Sequence, residues 1–193
     1  MSSKSSNNFS KKNGLFKRAE LAIIDKIIPK THFSENDFKY LLKVFRKYAS
    51  QGQFIEKTDF LEMLHETFGY TEHFFMNRVF IQADTNRDGR ISLSEYINLL
   101  SLLLKGTKEE KIKFCFQCYD LNETMQLSRD VIITLLNQTS TEDKDGDGIL
   151  IFEEYKNAAL EDWLLMESFG QCLPDFKYHV KFLEQMEGKV NDK

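Results

Sequence analysis

A chain of 193 residues with 41% hydrophobic side chains carries enough apolar material for one well-formed core or two small lobes. Its 26 basic and 30 acidic side chains leave a formal charge of −4, which argues against nucleic acid as the main partner. Only two prolines among 17 Phe and 7 Tyr favour a helical protein with aromatic-rich packing, and no apolar run reaches the roughly 18 residues of a membrane-spanning helix.

In chain order, residues 1–13 are rich in Ser, Lys and Asn and read as a disordered tail. Ser2 stands where a myristoylation signal needs glycine, and no apolar secretory segment follows, so neither a membrane anchor nor export is expected. A helical pattern runs from Leu15 to Ile28. Ser34 with Asp37 predicts a helix start before Phe38, Leu41, Leu42 and Phe45. Thr58 opens a helix that Gly69 closes, and Thr71 opens the next, through Phe74, Phe75, Val79 and Phe80. Thr107 with Glu110 forms a capping box before Ile112, Phe114 and Cys115. The spacing predicts one long helix from Glu153 to Phe169, stopped by Gly170 and Pro174, and a short one from Asp175 to Met186. The three cysteines are odd in number and sparse, which suits a reducing cytosol. Cys115 and Cys118 make a CxxC, but they lie on an apolar helical pattern with no second pair nearby, which assigns them to the core.

A repeat underlies the pattern: helix, polar dozen, helix. Asp84 and Asp120 stand 36 residues apart, each four residues after a Phe. A weaker first copy aligns Ile55 with Ile91 and places its first loop position at Tyr48, again 36 residues before Asp84.

The polar dozen from Asp84 to Glu95 has the spacing of a calcium loop. Calcium takes six to eight oxygens, which twelve residues can supply when acids alternate and a glycine at the sixth position allows a sharp turn. Asp84, Asn86 and Asp88 offer side-chain oxygens, Arg90 its carbonyl, Ser92 a water-bridged position and Glu95 a bidentate carboxylate. An acidic surface turn would not match so many positions at fixed spacing. Asp143, Asp145, Asp147, the Ile149 carbonyl and Glu154 repeat the set, with Leu150 as the bridging residue, although Ile151 cannot orient a water. The other two copies read as inactive. From Asp120, Met125 replaces the glycine and Val131 the closing acid. The first copy has Tyr48, Ser50 and Gly52 at the ligand positions. Each lobe then pairs one active loop with one degenerate loop. Between Val131 and Asp143 lie 11 residues, against 24 between Glu95 and Asp120, so the last hand should lack its own entering helix.

These features define an all-α fold of helix-loop-helix pairs in two lobes, 14–106 and 107–170, the second shortened by one helix, with a terminal segment 171–193. The chain resembles EF-hand proteins and is similar to the calaxin family. The residues that carry the likeness are Phe68 to Thr71, Met76 to Phe80, Leu100 to Gly106, Glu109 to Phe116 and, least generic, Phe169 to Asp175. The resemblance implies a cytoplasmic protein of the ciliary or flagellar axoneme, a calcium sensor that binds outer-arm dynein and its docking complex and tunes motility. Ca2+ is the expected ligand, with Mg2+ as its resting-state competitor. The rival readings are a constitutive structural subunit and a calcium buffer; Ser2 disfavours the myristoylated neuronal sensors. Four histidines without ligand or triad spacing, and no Gly-rich phosphate loop, argue against an enzyme.

Overall fold

The computed structural model of the protein describes residues 26–50, 52–136 and 149–189. Within them the chain forms eight α-helices and four three-residue strands. In order these are α1 (Glu35–Tyr48), β1 (Phe54–Glu56), α2 (Lys57–Phe68), α3 (His73–Ala83), β2 (Arg90–Ser92), α4 (Leu93–Leu100), α5 (Lys108–Tyr119), β3 (Gln126–Ser128), α6 (Arg129–Leu136), β4 (Ile149–Ile151), α7 (Phe152–Glu161) and α8 (Phe176–Met186). The fold is all-α with strands only at the loop bridges. β1 pairs antiparallel with β2, placing Ile55 opposite Ile91, and β3 pairs with β4, placing Leu127 opposite Leu150. The expected tail, residues 1–13, lies outside the described residues, as does most of the first helical pattern, which ends in a 3-10 turn at Ile28–Lys30.

Local chemistry sets most boundaries. The Ser34 amide donates to Asp37 Oδ2 at 2.9 Å at the start of α1. Burial opposes ionisation of Asp37, but the Lys105 ammonium at 2.8 Å and the Ser34 amide hold its carboxyl below the usual range. At α5 the Thr107 amide donates to Glu110 Oε2 at 2.7 Å and the Glu110 amide to Thr107 Oγ1 at 3.2 Å, the reciprocal capping box. α2 ends at Gly69, whose φ of 73° is left-handed.

Three boundaries differ from expectation. α2 starts one residue before Thr58, after Glu56, and α3 starts after Glu72 rather than at Thr71. The predicted long helix from Glu153 to Phe169 breaks at Asp162. There the backbone is extended, and Oδ1 accepts the Leu164 amide at 2.9 Å, starting a 3-10 turn over Trp163–Glu167. A short acidic side chain that can cap a new turn competes with continuing the old one. The apolar run from Ile97 to Leu104 divides into α4 and a single π turn, Ser101–Lys105, without a break in the helical backbone at Leu100 and Ser101.

Phe60, Phe68, Tyr70, Phe75, Tyr96 and Phe116 are among the fully buried aromatics. Met63, Met76 and Met166 lie in the core, whereas Met125 is exposed. The segment Phe169 to Asp175 returns the chain to the α2–α3 junction. The Tyr70 hydroxyl donates to the Cys172 carbonyl at 2.6 Å and the Asp175 amide to the Phe68 carbonyl at 3.0 Å. Gly170 is required there: its φ is 138°, and a Cβ would lie 2.0 Å from the Phe75 ring. α8 then packs on α2 and α1, with the Phe182 ring 5.1 Å from both Tyr40 and Phe68.

Candidate metal centre

The loop from Asp84 to Glu95 joins α3 to α4 and folds on its own polar groups. α3 ends as the Asp84 amide bonds the Phe80 carbonyl at 2.9 Å. Both Asp84 oxygens then turn inward: Oδ1 accepts the Asp88 amide at 3.1 Å and Oδ2 the Gly89 amide at 2.8 Å. Asn86 Oδ1 accepts the Asp88 amide at 2.8 Å, and Asp88 Oδ1 the Arg90 amide at 2.9 Å. Two left-handed residues make the bend, Arg87 at φ 58° and Gly89 at φ 80°. Glu95 serves twice. As the third residue of α4 it accepts the Ser92 amide at 2.9 Å and the Ser92 hydroxyl at 2.6 Å on Oε2. Its Oε1 reaches back across the loop to the Asn86 amide at 3.2 Å and the Thr85 hydroxyl at 3.0 Å. Burial opposes its ionisation, yet these four donors hold the carboxyl below the usual range.

The donor set fits a hard, oxygen-seeking cation. Asp84, Asn86, Asp88 and Glu95 supply carboxylate and amide oxygens, the Arg90 carbonyl completes the set, and no soft ligand intrudes. Among the described residues no three His, Cys, Asp or Glu side chains are gathered as a ready-made cage. The loop carboxylates are instead bonded to loop amides and hydroxyls, with which an ion would compete for the same oxygens.

Asp143, Asp145 and Asp147 lie outside the described residues, as does the Ile149 side chain. Glu154 is the third residue of α7, and its Oε2 accepts the Ile151 amide at 3.0 Å, the counterpart of the Ser92–Glu95 bond. In the interval before Asp143 the described part is the single helix α6, and 137–148 lie outside.

The third loop repeats the backbone of the second. Asp120 Oδ1 accepts the Thr124 amide at 3.1 Å and Oδ2 the Met125 amide at 2.6 Å, matching the two Asp84 bonds. Glu123 at φ 56° and Met125 at φ 59° take the left-handed places of Arg87 and Gly89. Met125 therefore does not prevent the turn, contrary to the expectation that glycine was needed; it makes the turn at a cost of about 1–2 kcal/mol. What the loop lacks is an oxygen at its end, where Val131 is buried. In the first loop Tyr48 sends its hydroxyl outward to Glu66 Oε2 at 2.8 Å.

Contacts between the second and third hands were not legible in the sequence. Arg78 on α3 donates from Nε to the Cys118 carbonyl at 2.8 Å and from Nη2 to the Asp120 carbonyl at 2.9 Å, at the end of α5. Gln82 Nε2 donates to the Gln117 carbonyl at 3.1 Å. Arg87 pairs with Glu123, joining the fourth positions of the two loops. Cys115 and Cys118 are buried free thiols, as their helical pattern required, and burial pushes both up. Cys172 lies beside them. Glu167 accepts the Cys172 and Leu173 amides, each at 2.8 Å, and burial pushes its carboxyl up to about 7.

Residues 76–100, from α3 through the loop to the end of α4, match the EF hand family model. The chain is 36% identical to calaxin of Bos taurus and 37% identical to calaxin of Mus musculus, in each case over 83% of this chain and 90% of the relative. It is also 29% identical to neuronal calcium sensor 1 of Lymnaea stagnalis, over 77% of this chain and 91% of the relative. Relatives of this kind support a calcium-binding sensor protein, a regulator and not an enzyme. No helix among the described residues is long and apolar enough to cross a membrane. With more than a third of its residues shared along most of its length, the chain belongs to the calaxin family of EF-hand proteins.

Proposed function

We propose that this protein is a calcium sensor of the ciliary or flagellar axoneme, bound to outer-arm dynein or its docking complex and adjusting motility with calcium. The observation that carries the calcium reading is Glu95, which closes the loop and caps α4 at once. A cation that recruits this carboxylate acts directly on the first turn of the exiting helix, which is how a local binding event becomes a helix movement. Asp84, Asn86, Asp88, the Arg90 carbonyl and Glu95 form the principal site, and Asp143, Asp145, Asp147, the Ile149 carbonyl and Glu154 the second. Mg2+ competes at rest. The working division is a hand pair over 14–106, a second over 107–170 and a terminal segment over 171–193. The axonemal location and partners rest on kinship with calaxin.

Calorimetry on the full chain tests the site. Calcium should bind with an affinity on the order of 0.1–10 μM, and Glu95→Gln should remove that binding step. If the step survives the substitution unchanged, the loop is not the site. Pull-downs from axonemes with calcium and with chelator test the location: dynein or docking subunits recovered in neither condition refute it. A constitutive structural subunit is the second reading, favoured by the buried Val131 and the outward Tyr48 that leave two loops without a full ligand set. Calcium binding without new exposure to an apolar dye would select it.

A further inference from the structure

The closing carboxylate of the second loop is held at both oxygens, and one of its holders is not a ligand position. Thr85, second in the loop, donates from its hydroxyl to Glu95 Oε1 at 3.0 Å, beside the Asn86 amide at 3.2 Å on the same oxygen. Oε2 is held at the other end of the loop by the Ser92 amide at 2.9 Å and the Ser92 hydroxyl at 2.6 Å. The Ser92 bonds belong to the capping box that starts α4. The Thr85 bond has no such local duty, since it joins the entrance of the loop to its exit.

The turn itself does not require this hydroxyl. The third loop makes the same two backbone bonds from Asp120 and places the same pair of residues in the left-handed region, with Leu121 standing where the second loop has Thr85. Its closing place is Val131, which offers no oxygen for a hydroxyl to hold. Thr85 is exposed and Glu95 is buried, so the hydroxyl acts on the carboxylate and contributes little to the core.

We propose that Thr85 is a positioning residue that sets the preference of this loop for calcium over magnesium, by holding both oxygens of Glu95 in place together with Ser92. This role rests on the reading of Asp84–Glu95 as the principal cation site and adds the selectivity of that site. Calcium accepts six to eight oxygens in a flexible geometry and uses both oxygens of a closing glutamate, whereas magnesium demands a near-ideal octahedron. A carboxylate held at each oxygen from opposite ends of the loop can offer a single oxygen only by rotating. Rotation breaks the bond to Thr85 or those to Ser92, and that cost falls on the smaller ion. Competition between the hydroxyl and a cation for Oε1 acts on both ions, so the ratio of the two affinities reports the role.

The test uses the full chain carrying Glu154→Gln, which removes the closing carboxylate of the second site and leaves the Asp84–Glu95 loop to be measured. Calorimetry gives the calcium dissociation constant. Repeating the titration with rising MgCl2, at ionic strength matched with KCl, until the apparent calcium affinity is halved gives the magnesium constant. Thr85→Val keeps the shape of the side chain and removes the donor, and Thr85→Ser restores the donor. Circular dichroism verifies that both variants are folded. The ratio of magnesium to calcium dissociation constants should fall by at least about threefold in the valine variant and by less than that in the serine variant. A smaller fall with valine, or an equal fall with serine, overturns the proposal. So does loss of calcium binding in the valine variant, which would make Thr85 part of the site itself. A parent chain that binds no calcium is a separate outcome, which refutes the loop as the site and the role of Thr85 with it.

Discussion

Replacing Arg78 by Met keeps most of the side-chain stem and removes the guanidinium that joins the second and third hands. In the native protein Nε and Nη2 bond the Cys118 and Asp120 carbonyls at 2.8 and 2.9 Å, while the contact to the Gln117 carbonyl, at 3.5 Å, is at the limit of hydrogen bonding. These carbonyls belong to the last turn of α5, where helix geometry leaves acceptors unpaired and the dipole is negative. A hydrogen bond from a charged donor contributes about 1.5–3 kcal/mol. Arg78 is half-buried, so water recovers part of the loss, and Gln82 still holds the Gln117 carbonyl. The expected destabilisation is about 2–4 kcal/mol. With a urea m-value near 2 kcal/mol/M, this moves the unfolding midpoint down by about 1–2 M. Urea titration of the full chain, followed by circular dichroism, measures it. A midpoint shift below about 0.2 M at unchanged slope would show that solvent serves these carbonyls as well as Arg78 does, and would refute the clamp.

Three further outcomes follow from the same geometry. A calcium-soaked crystal should show no ion with six or more oxygens over Asp120–Val131, because the closing position carries a buried isopropyl group; an ordered ion there would contradict this. Met125→Gly should stabilise the chain by about 0.5–1 kcal/mol in thermal melts, since the side chain is 43% exposed and the backbone is left-handed; destabilisation would mean that Met125 has a contact worth more than its strain. Glu167 has a folded-state pKa raised by burial to about 7, above the ordinary carboxylate value, so the folded protein holds a proton that the unfolded chain has lost. The sign is that stability falls as pH rises from about 4.5 to about 7. Glu167→Gln keeps an oxygen for the Cys172 and Leu173 amides and should remove that fall, raising stability at pH 8 by on the order of 2 kcal/mol; an unchanged pH profile would sink the assignment.

The parts legible in the sequence are those in which partners are close along the chain. Asp84 reaches Asp88 and Gly89, Ser92 reaches Glu95, and Thr107 reaches Glu110, all within five residues. Such contacts impose residue types at fixed spacing, so the loop and the helix starts at Ser34 and Thr107 could be read directly, while the Ile55–Ile91 bridge followed from the 36-residue repeat. One local inference failed for an energetic reason. A left-handed turn favours glycine by only a modest amount, so the Asp120 bonds can hold Met125 there, and what the loop lacks is a carboxylate at its closing position, where Val131 is buried.

Tertiary structure decided the rest. The break at Asp162 depends on a cap competing with a helix whose propensities run through it. The meeting of Cys172 with Cys115 and Cys118, the Arg78 clamp and the docking of α8 on α1 join residues 40 to 145 positions apart. At such separations no spacing rule links the partners, because loop closure is set by how the intervening helices pack. The sequence determined which loop has a calcium-binding donor set and that the chain is helical, since ligand spacing and apolar period are local. Only packing decided that the second hand grips the third and that the last helix docks on α1 and α2, since each needs side chains brought together by a core that no short segment contains.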